Sequence, residues 1–583
     1  MSTARTIPVN PSGASVVTFT VRVEGEVVPR SFNLTSAVVT RQVGRIARLH
    51  LVLLDGSAAA SEFPASNEDL FIPGKNLELW GGLDTQESLL FRGIVIKHAI
   101  RIREKGSPVL LLDVQDKAVR MTTQLKSRYF TDKKDSEIIE ELAAAYGLEA
   151  DIGPTNHLHK QLLQYHASDW DFLVTRAEAN GLFCYTLDGK LEAKKPVVEE
   201  TAAVELLYGA TILEFDAEMN ARQQYSEVVT KAWNHSDQAL TEVSATDPGV
   251  DEQGNLSSAA LSSIAQNGAY TLLHGGSTEE AQLQAWADAQ LLKSKLAKIR
   301  GKVRFRGFSG IRPGQTIKLD GVGKRFNGNA LATGVRHEFV GGSWTTDVQF
   351  GASPENFAKE NDIQPLPAAG LTPGVRGLQI GVVTDLEDPA GEFRVRVKIP
   401  AVSMQDDGAW CRMVMPDAGN NRGFFFRPEV GDEVIVGFLH DDPNHAVILG
   451  CVYSSAKGAP LQQTSGNHEK GLATRSGMKW VWNDDKKSLT VQTPAGKMLV
   501  LDDNAGEIKL EDESGNKIVM NSEGITIQSP KAIKVVAGTN LTAEGSSQAE
   551  VKGGSSCKIS GSGSAELSSG GNVKVQGAMV QIN

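Results

Sequence analysis

Residues Ala549 to Asn583 read AEVKGGSSCKISGSGSAELSSGGNVKVQGAMVQIN. So much glycine and serine would ordinarily mean a flexible linker. The apolar residues say otherwise. They come as pairs one residue apart, and from Ile525 the pairs lock to a period of eight: Ile525/Ile527, Ile533/Val535, Leu541/Ala543, Ala549/Val551, Cys557/Ile559, Ala565/Leu567 and Val573/Val575. Between them two columns stay small, as at Gly545-Ser546, Gly553-Gly554 and Gly561-Ser562. Disorder requires no such register, so the segment is a folded repeat.

In a strand, residues i and i+2 point the same way. Each octad therefore offers one short strand with two inward side chains, and then a corner of residues that tolerate unusual backbone angles. One such strand buries nothing alone, whereas stacked coils do. The inward residues are few and small, so one chain would enclose a thin core. Three identical chains wound on one axis would share that core and hide their edges from each other. At roughly 4.8 Å per stacked strand, the octads make a rod of about 35 Å. The expected axial core is Ile525, Ile527, Ile533, Val535, Leu541, Val551, Cys557, Ile559, Leu567, Val573 and Val575. The outward residue between later pairs alternates in sign: Glu550, Lys558, Glu566, Lys574. Stacked opposite charges would fix the register of a repeat too uniform to fix its own. After Val575 the register shifts, and Met579, Val580, Ile582 and Asn583 form an apolar apex that wants a cap. Upstream, pairs at Trp480/Trp482, Leu489/Val491, Leu499/Leu501, Ile508/Leu510 and Ile518/Met520 are spaced unevenly, by nine or ten residues.

Working back along the chain, residues 375–456 read as a small barrel of the OB type. EFRVRVKIP alternates, with Phe393, Val395, Val397 and Ile399 on one face and Arg394, Arg396 and Lys398 on the other. DEVIVGFLHDDPNHAVILGCVY reads as two strands joined by an Asp-Asp-Pro-Asn turn. Ala352 to Gly374, with Pro354, Pro365, Pro367 and Pro373, reads as a linker. Residues 1–370 are strand-rich with three helices, which the sequence starts at caps Ser136, Ser168 and Ser277. The fold class is mainly β with some α, in three regions: 1–370, 375–456 and 470–583.

A formal charge of −11 argues against a general nucleic-acid binder. Four cysteines stand far apart, so neither a zinc ribbon nor a disulfide scaffold is expected. MSTARTIPVN lacks the pattern of a secretory signal, and no apolar run reaches membrane-span length. The expectation is assembly in the cytoplasm and exit by some route other than general secretion.

Three stretches resemble the VgrG family, the trimeric spikes of type VI secretion and related contractile injection systems, which are similar to phage tail hub and spike. QYHASDWDFLVTRAEANGLFCY carries Ser168, Asp169, Phe172, Glu178, Gly181 and Leu182 where the family's hub motif has them. The barrel region matches at Asp388-Pro389, Pro428-Glu429, Gly431-Asp432-Glu433 and Asp442-Pro443. TRSGMKWVWND and ESGNKIVM resemble the start of a needle. The resemblance implies a homotrimer whose hub forms a pseudo-sixfold ring on a hexameric, Hcp-like tube. It implies an OB collar, a triple-stranded β-helix needle (β-prism), a PAAR-repeat tip protein at the apex, baseplate contacts and possible effectors. Contraction drives such a spike through an envelope, so no catalytic residue, metal or cofactor is expected. A trimeric β-helical adhesin without catalytic activity is the alternative.

Other features read as structural. Asp385/Asp388 and Asp484/Asp485 look like solvated turns rather than a glycosidase pair. His440, Asp441, Asp442 and His445 look like a hairpin turn rather than a metal site. Phe424, Phe425 and Phe426 are expected to be largely core rather than a base-stacking surface, since three adjacent rings cannot all face outward. His337 is expected to be a satisfied core histidine.

Overall fold

The computed structural model describes residues 16–266 and 268–582. It divides into two units, the first ending at Thr372 and the second starting at Pro373.

The first unit is built on a 13-stranded sheet that opens with β1 (Val17–Val23). Five strands then form one half: β2 (Leu34–Gln42), β3 (Arg48–Leu54), β4 (Asn76–Leu83), β5 (Gln86–Arg101) and β6 (Val109–Gln115). They lie side by side as β2–β3–β6–β5–β4, each antiparallel to its neighbour. A second five follow later: β7 (Ile212–Met219), β8 (Ile299–Arg306), β9 (Thr316–Asp320), β10 (Gly328–Val340) and β11 (Ser343–Phe350). These lie as β7–β8–β11–β10–β9, again antiparallel.

The two halves are one motif used twice. The ladder of β2 is interrupted between Leu34 and Ser36, and that of β7 between Ile212 and Glu214. β5 is interrupted between Val95 and Lys97, and β10 between Ala332 and Gly334. Gly74 N–H donates to the Val95 carbonyl as Gly314 N–H does to that of Ala332, both at 2.8 Å. Both glycines follow a proline and sit at positive φ, +101° and +84°. The halves meet where β10 pairs with β2, from Gly334 opposite Gln42 to Val340 opposite Ser36. Each half has its own core, one around Leu51, Phe91 and Leu112, the other around Val303, Ile317 and Val335.

Between them lie helices α1 (Asp135–Ala144) and α2 (Asp169–Ala179), with α3 (Glu280–Leu296) just before β8. Ser168 caps α2 by accepting from Asp171 N–H at 3.0 Å. The other two expected caps are corrected. α1 is capped at Lys134, whose N–H donates to Glu137 at 2.8 Å, while Ser136 lies inside the first turn and donates its N–H to Thr155 Oγ1. α3 is capped at Glu279, whose carbonyl receives Gln282 and Leu283 N–H, so Ser277 lies outside it.

In the second unit, β12 (Gln379–Asp385), β13 (Val395–Lys398), β14 (Ala409–Met413), β15 (Glu433–Phe438) and β16 (Ala446–Cys451) close a barrel in the order β12–β13–β14–β16–β15. Val383, Val395, Val397, Val434, Val436 and Ile448 fill it. Two expectations fail here. Phe393 precedes the strand at φ +57° and is 76% exposed. Phe424, Phe425 and Phe426 are all at least half exposed, because their segment lies outside the barrel strands.

Seven strands then form an antiparallel meander: β17 (Glu469–Ala473), β18 (Lys479–Asn483), β19 (Ser488–Gln492), β20 (Met498–Asp502), β21 (Glu507–Glu511), β22 (Lys517–Asn521) and β23 (Gly524–Gln528). Arg475 bonds Glu429 at 2.9 Å and ties its start to the barrel.

Candidate assembly face

The meander is more regular than its apolar spacing suggests. Its loops Thr474–Met478, Thr493–Lys497 and Asp512–Asn516 start nineteen residues apart. In each, the first residue's N–H bonds the last residue's carbonyl at 2.9, 2.9 and 3.0 Å. In each, the fourth residue is glycine (Gly477, Gly496, Gly515) at φ +87°, +93° and +83°. A three-residue hairpin loop needs that left-handed position, and glycine takes it without strain. The alternating nine- and ten-residue spacings are thus the two strands of one nineteen-residue hairpin repeat. The loops also stack. A Cβ on Gly477 would lie 3.6 Å from Pro494, and one on Gly496 would lie 3.8 Å from Glu513. Lys497 Nζ reaches both Glu513 oxygens at 2.7 and 2.8 Å, which holds that carboxyl below the usual carboxylate range.

This register aligns the apolar pairs across the whole sheet. Trp480 faces Val491, Val491 faces Leu499, Leu499 faces Leu510, Leu510 faces Ile518, and Ile518 faces Ile527. The second column runs from Trp482 through Leu489, Leu501, Ile508 and Met520 to Ile525. The Trp480 and Trp482 rings stack at 5.2 Å. Within one chain this two-column stripe is only partly covered: Leu499 is 38% exposed, Leu510 52% and Ile525 69%. Covering a large apolar side chain is worth about 1.5–3 kcal/mol, so a stripe this long demands a partner.

Past Gln528 intrachain pairing ends. From Lys531 to Ile582 no residue is buried and no strand is formed. The octad period is nonetheless built into the backbone, for bends recur at 538–539, 546–547, 554–555 and 562–563. At Gly545, Gly553 and Gly561 an added Cβ would lie 2.2–2.3 Å from the carbonyl oxygens of Gln548, Ser556 and Ser564. The expected core residues Ile533, Val535, Leu541, Val551, Cys557, Ile559, Leu567, Val573 and Val575 are all exposed, as are Met579, Val580 and Ile582 at the apex. Asn583 lies outside the described residues. Glu550 pairs with Lys552 on its own chain, while Lys558, Glu566 and Lys574 are exposed.

The remaining candidates resolve as follows. Asp388 clamps Arg394 through both oxygens at 2.8 and 2.9 Å, and that contact depresses its pKa. Asp385 closes a local turn onto Glu387 N–H, and Asp484 pairs with Lys470. Asp442 accepts from Asn444 N–H at 2.9 Å within the hairpin turn. His337 is buried; Nδ1 meets Thr346 Oγ1 at 3.1 Å, Nε2 has no partner, and burial pushes its pKa down to about 3. Among the described residues no cluster of His, Cys, Asp and Glu could hold a metal, and no helix is long and apolar enough to cross a membrane.

In the second unit a closed five-stranded barrel is thus followed by apolar columns that stay uncovered among the described residues. Family profiles match the chain in three parts. Residues 13–340 match the Alg8 N-terminal domain, residues 379–453 the type VI secretion system/phage-baseplate injector OB domain, and residues 488–583 the phage baseplate V C-terminal trimerisation domain. The first profile spans more than half of the chain, which therefore belongs to the Alg8 N-terminal domain family. The type VI secretion system spike proteins VgrG1b and VgrG1a of Pseudomonas aeruginosa are 28% and 30% identical over 41% and 37% of this chain. The match covers 31% and 32% of their own length. A shorter match, 29% identical over 20% of this chain and 11% of the relative, is to the actin cross-linking toxin VgrG1 of Vibrio cholerae. Among solved structures, the prophage MuSo2 43 kDa tail protein of Shewanella oneidensis is 12% identical with TM-score 0.44, over 58% of this chain and 98% of its own. The E. coli c3393 protein, a type VI secretion component, is 12% identical with TM-score 0.38, over 74% and 99%.

Proposed function

We propose that three copies of this chain form the spike of a contractile injection machine. The observation that carries the reading is the two-column apolar stripe, which runs from Trp480 to Ile527 and continues into octads with no partner among the described residues of their own chain. Two further copies supply the missing partners and enclose the columns from Ile525 to Val575. The ladder Glu550, Lys558, Glu566 and Lys574 sets their register. The first units, residues 1–370, seat on a hexameric Hcp-like tube. The OB domains, residues 375–456, make a collar, and the needle, residues 470–583, points forward. Met579, Val580, Ile582 and Asn583 receive a PAAR-repeat tip protein. Baseplate proteins surround the assembly, which is made in the bacterial cytoplasm and leaves by contraction, with any effectors attached. The work is mechanical and needs no catalytic residue.

Native mass of the purified chain tests this. A mass of three chains, falling to one on truncation at Gly471, is the expected result; a monomer at micromolar concentration sinks the reading. Co-purification of the tube protein through residues 1–370 separates a spike from an adhesin.

A further inference from the structure

We propose that the first units of neighbouring copies join edge to edge, with the far half of β5 of one copy pairing antiparallel with β7 of the next, and Arg101 opposite Asp216. This rests on the trimeric reading above and adds the surface and register by which the ring closes.

The duplication supplies the template. In each half the fourth strand is long and bent, so that its first part pairs with the third strand and its second part with the fifth. In the second half, the free side of that second part is taken by β2, the first strand of the other half. The equivalent side of β5 has no partner among the described residues. Its ladder with β4 ends at Ile94, and backbone bonds to the segment before β4 end at Val95. The strand equivalent to β2 is β7, which ends the sheet at the opposite side. One copy therefore carries both members of a second seam, too far apart in its own sheet to meet. Open edges of this kind are templates for another chain, and a repeated head-to-tail contact closes into a ring. Strand direction alternates along the sheet, so β5 and β7 run oppositely, as the seam requires.

The register follows from the bulges. The break at Val95/Lys97 corresponds to that at Ala332/Gly334, and the break at Ile212/Glu214 to that at Leu34/Ser36. Carrying the β10–β2 seam across sets Ile100 opposite Ala217, Arg101 opposite Asp216, Ile102 opposite Phe215 and Arg103 opposite Glu214. Backbone geometry alone dictated these pairs, and their chemistry fits: apolar meets apolar, and each arginine meets a carboxylate. A slip of one residue would put Arg101 against Ala217 or Phe215. The surface is open in one copy, with Ile100 48% and Ile102 65% exposed. Glu214 and Asp216 are also exposed, although Arg304 and Lys302 contact them from β8.

Cysteine pairs in the full-length chain test the seam, with Cys451→Ser and Cys557→Ser removing the exposed thiols. Ala99→Cys with Glu218→Cys, and Ile100→Cys with Ala217→Cys, are adjacent pairs of the predicted register. One of two such pairs is the closer, non-hydrogen-bonded kind that a disulfide spans. On mild oxidation at least one double variant should run as a covalent trimer on a non-reducing gel. The single variants and the off-register pair Ala99→Cys with Glu214→Cys should stay single. Reversing both arginines (Arg101→Glu, Arg103→Glu) should cut the yield several-fold, and adding Asp216→Lys and Glu214→Lys should restore it. A chain that is trimeric by native mass but forms no covalent trimer in either register pair overturns this inference alone, as does equal cross-linking of the off-register pair. A chain that is monomeric by native mass overturns the trimeric reading and this inference together.

Discussion

The sheet of the first unit and the octads of the needle use the same chemistry to opposite ends. Both alternate apolar side chains along short extended segments. In the sheet, Leu51, Leu112 and Val303 are at most 1% exposed, because the neighbouring strand and the covering core come from the same chain. In the octads, Ile559 is 82% exposed and Leu567 78%, because none of the described residues of the chain returns to cover them. The difference lies in where the partner is, not in the residues. A strand that meets its neighbour within one chain can fold at any concentration. One that meets it between chains folds only as the assembly does.

The largest effect expected from breaking this contrast is at the head of the octads. Ile525→Asp with Ile527→Asp would place six carboxylates around the proposed axis. Burying unpaired charge costs several kcal/mol per group, so the trimer should be lost at micromolar concentration. Circular dichroism of the first unit should be unchanged. A trimer surviving by sedimentation would mean that these residues do not face the axis.

Next in size is Leu112→Ala, in the core of the first half. A fully buried leucine cut to alanine costs about 2–5 kcal/mol. The melting step of the first unit should fall by the same amount at every protein concentration, whereas needle variants should shift more as the protein is diluted. If Leu112→Ala proved equally concentration-dependent, the contrast between the two regions would collapse.

How far this was legible in the sequence depends on which signal each feature leaves. The octads were readable because their period is carried by side-chain type, and the closed barrel because its strands alternate. The nineteen-residue hairpin repeat was hidden in plain spacing. Pairs taken strand by strand look uneven, while the informative residues are Gly477, Gly496 and Gly515, one per loop. The duplicated half-sheet left almost no side-chain trace beyond Pro73-Gly74 and Pro313-Gly314, since it is written in strand order and bulges, which are backbone properties. Ser136 and Ser277 misled because a serine near a helix start caps only if the chain turns there. In α1 the Glu137 carboxylate had already taken that role. The three phenylalanines misled because adjacency does not force burial when the segment lies outside the strands that build the barrel core.

The first unit also carries a pH dependence. Asp169, at the start of α2, accepts from Lys126, Tyr146 and Gln164 at 2.7–2.9 Å and also bonds Arg128. Burial alone would raise its pKa, but these donors together hold it at about 2 rather than 3.8. Above 3.8 the carboxylate is ionised in both folded and unfolded chains, and its contribution to stability is complete. As pH falls from 3.8 toward 2 the unfolded chain takes up a proton first, so that contribution is lost. Melting of the first unit should therefore drop over this window, and Asp169→Asn should flatten the slope there while lowering stability at neutral pH. An unchanged slope would show that Asp169 is not the group that titrates.

The smallest expected effect is the most specific. If Glu566 and Lys574 face one another across stacked octads of the trimer, each contact is worth only about 0.2–1 kcal/mol. Three copies multiply it, so Glu566→Lys alone should lower the needle's melting temperature by a few degrees. Lys574→Glu alone, which meets only Glu566, should lower it by about half as much. Combining the two changes restores opposite signs between these rungs but reverses the order against Lys558, so recovery should be partial. Extending the exchange to Lys558→Glu and Glu550→Lys should complete it. A general surface-charge effect would track net charge instead: the combined swaps leave net charge unchanged and would return to wild type at the first step. Only a register ladder makes recovery depend on how many neighbouring rungs are exchanged together.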